Sequence, residues 1–156
     1  MKRLFAILLS IVLVLSLCAC NSTTESKTET DVKATVKNND NKTEYLTAKE
    51  LCDFSSNNNI SFENKYWCAH ATVTGKIKEI GGSCIINGHS YNWTLVIEGG
   101  ACDWFIGSDK YNKTTVTKDF IANLNPGDTV EISGEIVGAS MGQVNISNGT
   151  ISVKIK

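Results

Sequence analysis

Cys52, Cys68, Cys84 and Cys102, with His70 and His89, are the side chains of this 156-residue sequence best suited to covalent or metal chemistry. Thiols can pair as disulfides, pack as small apolar groups, or bind zinc as thiolates beside imidazole. Spacing argues against zinc, because the six residues form no Cys-x-x-Cys and no His-x-x-x-His pair and a structural zinc site is built from such close pairs. No metal and no cofactor is expected, and His70, next to a strand-like alternation, reads as a surface or hydrogen-bonded histidine. Catalytic patterns are missing as well: there is no G-x-S-x-G, no H-E-x-x-H and no phosphate-cradling glycine loop. Gly81-Gly82 and Gly99-Gly100 read as turns. Asp103 and Asp109 flank a strand, and hydrolase carboxylates would have to stand about 5 to 9.5 Å apart. They read as solvated, so no catalytic residue and no enzymatic activity is expected.

Whether the four thiols pair depends on compartment, and the N-terminus speaks to that. Met1-Lys2-Arg3 followed by the apolar run Leu4 to Leu17 has the form of an export signal. The run has fourteen residues, short of the roughly 20 that span a bilayer. Leu17-Cys18-Ala19-Cys20 resembles the bacterial lipobox, with a branched apolar residue three places before the cysteine and a small residue just before it. Cys18 does not fit, since Leu17 directly before it is too large. The resemblance implies removal of residues 1–19 and a diacylglycerol thioether on Cys20; two or more acyl chains hold a protein stably on a membrane where one is marginal. The plainer alternative is an ordinary secretory signal cut after Ala19, leaving Cys20 free. The expected location is the outer face of a cell membrane, and the Asn-, Lys- and Thr-rich composition suits a Gram-positive host. With Cys20 lipidated, Cys52, Cys68, Cys84 and Cys102 remain as candidate disulfide partners for one or two bridges, and the three pairings of four cysteines stay open. Buried free thiols are the competing view.

Residues 20–44 are expected to be the lipidated cysteine and an unstructured tether, because from Asn21 to Glu44 there is no aromatic residue and Val32, Ala34 and Val36 are the only apolar ones. Residues 45–156 have the length of one domain. From Lys65 onward eight lysines face eight carboxylates without an arginine, and a protein that neutralises many phosphates needs a basic surface. Nucleic acid is disfavoured as a partner.

Thr47-Ala48-Lys49-Glu50 has the capping-box form, so a short helix is expected there, stopped at Asn57-Asn58-Asn59. Ala69 to Ile80 alternates as a half-buried strand, Tyr91 to Glu98 repeats the pattern, and Gly99-Gly100 turns it into Cys102 to Ile106. Asn87-Gly88 marks a tight hairpin before the second of these strands. Val116, Phe120, Ile121 and Leu124 recur at helical spacing before the breakers Pro126-Gly127. Thr129 to Val137, Val144 to Ile146 and Ile151 to Ile155 supply the closing strands.

Three strands, a helix and two strands is the order of a mainly β, five-stranded OB-fold Greek-key barrel. Gly75 and Gly134 interrupt alternating strands where such a barrel bends. Tyr66 to Ile77 and, more specifically, Leu124-Asn125-Pro126-Gly127-Asp128-Thr129-Val130-Glu131-Ile132-Ser133-Gly134 resemble a family of extracytoplasmic OB-fold lipoproteins related to tRNA-anticodon-type OB domains. The resemblance covers about Ala48 to Val153, and departs from the family between Cys84 and Cys102. It implies a binding module with no catalytic residues to carry over. OB-folds bind through aromatic residues on strands two and three, which singles out Tyr91, Trp93, Trp104 and Phe105. Tyr91 and Trp93 share a face with Leu95 and Ile97 and Trp104 shares one with Ile106, so these read as core, leaving Phe105 as the exposed candidate. The functional expectation is a membrane-anchored binding or interaction module for an envelope protein, peptide or glycan, with a single-stranded nucleic-acid or oligosaccharide binder as the alternative.

Overall fold

The computed structural model describes residues 31–86, 88–109 and 116–156, without the side chains of Asp109 and residues 148–151. The expected signal peptide, Cys20 and the start of the expected tether lie outside the described residues. The chain is mainly β, with eight strands and three helices among the described residues.

Ordered structure begins before the expected domain boundary. Strand β1 (Lys33–Lys37) pairs antiparallel with β2 (Thr43–Thr47), and β1 also pairs with β3 (His70–Gly81). The tether expectation is therefore corrected over this segment. Lys33-Ala34-Thr35-Val36-Lys37 alternates, and Ala34 and Val36 are fully buried while the residues between them are exposed. Ala34 and Val36 join the core beside Val73 and Ala71, their partners across the β1–β3 pairing.

Thr47 caps α1 (Ala48–Asn57) as expected: its hydroxyl accepts from Glu50 N at 3.1 Å, and the Glu50 carboxylate accepts from Thr47 N at 2.7 Å. Asn58 ends α1 and caps a second helix, α2 (Asn59–Tyr66), through its side-chain oxygen. Glu44 on β2 ties α2 down by accepting from Lys65 at 2.8 Å and from the Tyr66 hydroxyl at 2.6 Å.

Five strands close into a ring. β3 pairs with β5 (His89–Ile97), β5 with β6 (Asp103–Asp109), β6 with β8 (Gln143–Ile155), β8 with β7 (Thr129–Ser140), and β7 with β3. All these pairings are antiparallel except β6 with β8, which is parallel. Strand β4 (Cys84–Ile86) forms the expected tight hairpin with β5, Ile86 opposite His89 and Gly88 at φ 81°. The short helix α3 (Lys118–Ala122) lies between β6 and β7, capped by Thr117.

One edge of β3 is shared by two partners. Residues 70–73 pair with β1, whereas Ile77 to Gly81 pair with β5. Gly75 sits at this fork, where a Cβ would lie 2.6 Å from Ile97 Cγ2 and 3.4 Å from Val32 Cγ1. Gly134 falls at a register shift between β7 and β8. Both glycines thus stand where the sheet must bend or admit a neighbour. Inside the ring, Trp93, Leu95, Ile97, Trp104, Ile106, Ile132, Ile136 and Ile146 form the core with Leu51 of α1 and Phe62 of α2. α1 packs on β7, β8 and β6.

Candidate binding face

The aromatic residues of β5 and β6 divide by the pleat. Trp93 and Trp104 point into the ring and are 1% and 0% exposed. Each indole N–H finds a carbonyl, Trp93 donating to Val116 O and Trp104 to Val32 O, both at 3.3 Å. These bonds satisfy the one polar atom that an indole brings into a core, and they fasten the chain at Val32 and at Val116 to the ring.

Phe105 does project from the other face, but the expectation that it is exposed is corrected: it retains only 7% of its surface. The Tyr91 ring lies edge-on to it, with centroids 5.8 Å apart and planes at 81°. Tyr91 reaches that position because the β5–β6 register shifts between Tyr91 and Trp93. A uniform alternation puts Tyr91 inside with Trp93, and one irregular residue, Asn92, moves it outside. Gly107 then makes room, since a Cβ there would stand 2.3 Å from the Tyr91 ring. Of the four aromatic residues, Tyr91 alone is half-exposed.

The outer face of β5 and β6 therefore carries an apolar strip of Val96, Phe105 and Tyr91. Val96 lies opposite Phe105, and Phe105 lies beside Asn145 on the parallel strand β8. At one side of the strip Lys78 donates to Asp103 at 2.7 Å. Val96 and Phe105 are themselves buried, so what this face offers a partner is the Tyr91 ring, which suits contact with a flat or weakly polar group.

No family model matches this sequence, and no curated protein matches it either.

Concavities also occur elsewhere among the described residues. One of about 360 Å³ lies between α3 and β8, lined by Val116, Thr117, Phe120, Ser152, Val153 and Lys154. Another of about 270 Å³ is lined by Glu63, Asn64 and Trp67. Among the described residues no group of three His, Cys, Asp or Glu side chains could hold a metal ion. His70 and His89 are both exposed, at the start of β3 and of β5. No described helix is long and apolar enough to cross a membrane.

The four cysteines are free thiols in the structure. Cys68 is exposed, with its backbone at φ 60°, and Cys84 lies on β4 opposite Tyr91. Cys52 is buried in the core and Cys102 packs partly buried against it, and no two of the four stand at disulfide distance, so none of the three pairings left open by the sequence is formed here.

Proposed function

We propose that the chain is a membrane-anchored extracytoplasmic lipoprotein whose domain is an OB-fold binding module. The observation that carries the fold part is the ring order β3-β5-β6-β8-β7 with its parallel β6–β8 pair, together with α3 between the third and fourth ring strands. A five-stranded Greek-key barrel of OB type has that order, and its ligands meet the outer face of the second and third strands. Here those strands are β5 and β6, and Tyr91 is the aromatic that reaches solvent on them.

The anchor part is supported by the Leu17 to Cys20 motif and its apolar leader. Twelve residues separate Cys20 from Lys33, and even fully extended they reach no more than about 45 Å. The domain would then work close to the membrane, on partners of the envelope: a protein, a peptide or a glycan.

Tyr91 favours an oligosaccharide over single-stranded nucleic acid as the second reading. An aromatic ring stacks on a sugar face without requiring charge, whereas strand backbones require a basic groove. From Lys65 onward lysines and carboxylates balance.

The test is capture from solubilised envelope protein and from released cell-wall glycan, with the immobilised domain and its Tyr91→Ala variant side by side. Specific enrichment by the parent and its loss in the variant is the expected result. No enrichment over a charge-matched control, or equal enrichment by both, would remove this face as the binding site.

A further inference from the structure

The two sides of α2 meet different surroundings. Phe62 and Tyr66 are buried, whereas Ile60, Glu63, Asn64 and Trp67, spaced i, i+3, i+4 and i+7, lie together on the exposed side. Trp67 keeps 46% of its surface exposed, and Glu63, Asn64 and Trp67 line the concavity of about 270 Å³ at the end of the helix.

This indole sits on a fixed backbone. Asn39, in the turn between β1 and β2, donates its main-chain N–H to Lys65 O at 3.0 Å and its side-chain amide to Asn64 O and Trp67 O at 3.0 and 3.1 Å. One residue thus holds three carbonyls at a helix end, where intrahelical donors run out. Trp67 N–H donates to Glu63 O at 3.1 Å, and the next residue, Cys68, donates its N–H to Ile136 O of β7 at 2.9 Å. Asn59 donates to Glu63 Oε1 at 2.8 Å, which steadies that carboxylate and leaves Oε2 to accept from a ligand.

We propose that this concavity is a binding site for a neutral sugar ring of an oligosaccharide, with Trp67 as the stacking platform and Glu63 and Asn64 as its hydrogen-bonding groups. The site goes beyond the Tyr91 face and does not depend on it. Trp67 precedes the start of β3, whereas the strand that carries Tyr91 joins the far end of β3, at Ile77 to Gly81.

The lining chooses the ligand class. A pyranose presents a face of C–H bonds, which suits the electron-rich face of an indole, and hydroxyls around its edge, which need partners beside the ring. The Glu63 carboxylate takes hydroxyl donors, and the Asn64 amide both donates and accepts. A carboxylate and no cation lines the concavity, and the neighbouring Lys65 is bound to Glu44, so uronic acids and phosphates are disfavoured. Cationic ligands such as quaternary ammonium groups are held by cages of several aromatic rings. Here one indole stands beside an amide, which favours hydroxyls.

The experiment exploits an asymmetry among the three tryptophans. Trp93 and Trp104 are buried, so acrylamide quenching of the fluorescence reads Trp67. The purified full-length chain is quenched with and without millimolar tetramers of β-linked glucose, β-linked N-acetylglucosamine and α-linked glucose. A galacturonic acid tetramer and choline serve as contrasts. The expected result is a saturable loss of quenching with at least one neutral tetramer, little with the contrasts, and the same protection in Tyr91→Ala. Isothermal titration with that tetramer should show binding lost in Trp67→Ala and weakened several-fold in Glu63→Ala. No protection by any neutral tetramer would overturn the proposal, as would protection by choline or the uronic acid tetramer alone. Binding that survives Trp67→Ala but disappears in Tyr91→Ala would also overturn it and place the sugar on the β5–β6 face. Protection is read on the parent chain, so it stands even if a variant folds poorly.

Discussion

Ile97 lies over the bare Cα of Gly75, with its Cγ2 only 2.6 Å from where a Cβ would be. Ile97 is fully buried at the end of β5, so it has no room to retreat. Gly75→Ala should force the fork in β3 apart, at a cost of about 2 kcal/mol for overpacking a closed core. Thermal unfolding should show a Tm lowered by roughly 5 to 10 °C. An unchanged Tm would mean that the two branches of the sheet separate more easily than this contact implies.

A chain that starts at Tyr45 should fail to fold. It lacks β1, whose Ala34 and Val36 are fully buried, and it leaves the 70–73 stretch of β3 without its partner on that edge. It also removes the Val32 carbonyl that accepts from Trp104. A chain starting at Glu29 should give a cooperative melt, and the shorter one should give none. Equal melts would restore the boundary expected at Tyr45.

The reason that boundary was misplaced is physical. Val32, Ala34 and Val36 do alternate at strand period, but three apolar residues among polar ones cannot bury enough surface by themselves. Their burial depends on β3, about thirty-five residues away, and a local reading has no access to that. The ring strands were legible because each carries its own alternation, and α1 because its capping box is local. Tyr91 and Phe105 were misread for a related reason. A single irregular residue, Asn92, changes the face on which everything before it lies, and no composition signal marks it. The second helix, α2, was missed because Asn58, taken as a stop, serves as both the end of one helix and the cap of the next.

Acid should weaken the N-terminal hairpin and α1 first. Hydrogen bonds from Thr47 backbone and side chain hold the Glu50 carboxyl below the usual glutamate range against its partial burial. For Glu44, burial raises the pKa, but the bonds from Lys65 and Tyr66 outweigh it and the net shift is downward. Both folded-state values lie below the unfolded ones, so the stabilisation is complete above the ordinary glutamate pKa and is lost as pH falls through the lowered values. Glu50→Gln should lower Tm at pH 7 and narrow the difference in Tm between pH 7 and pH 3. A difference equal to the parent's would show that Glu50 is not among the groups that titrate with unfolding.

If Cys20 carries diacylglycerol, Cys20→Ser expressed in a lipoprotein-processing host should leave the membrane fraction for the soluble one. Intact mass of the parent, extracted from membranes, should begin at Cys20 with a diacylglycerol increment. A parent of unmodified mass in the soluble fraction would point to the ordinary secretory signal.

The last strand closes the ring: β8 lies between β6 and β7, pairing in parallel with one and antiparallel with the other. Val130 on β7 meets Ile155, the penultimate residue of the chain. The ring therefore cannot shut until β8 has been made, and the pairings that shut it join segments far apart in the chain, the long-range kind that form slowly. If residues 1–19 are an export signal, it would emerge long before β8 and meet the export machinery while the sheet was still open, so that threading through a narrow pore would require no unfolding.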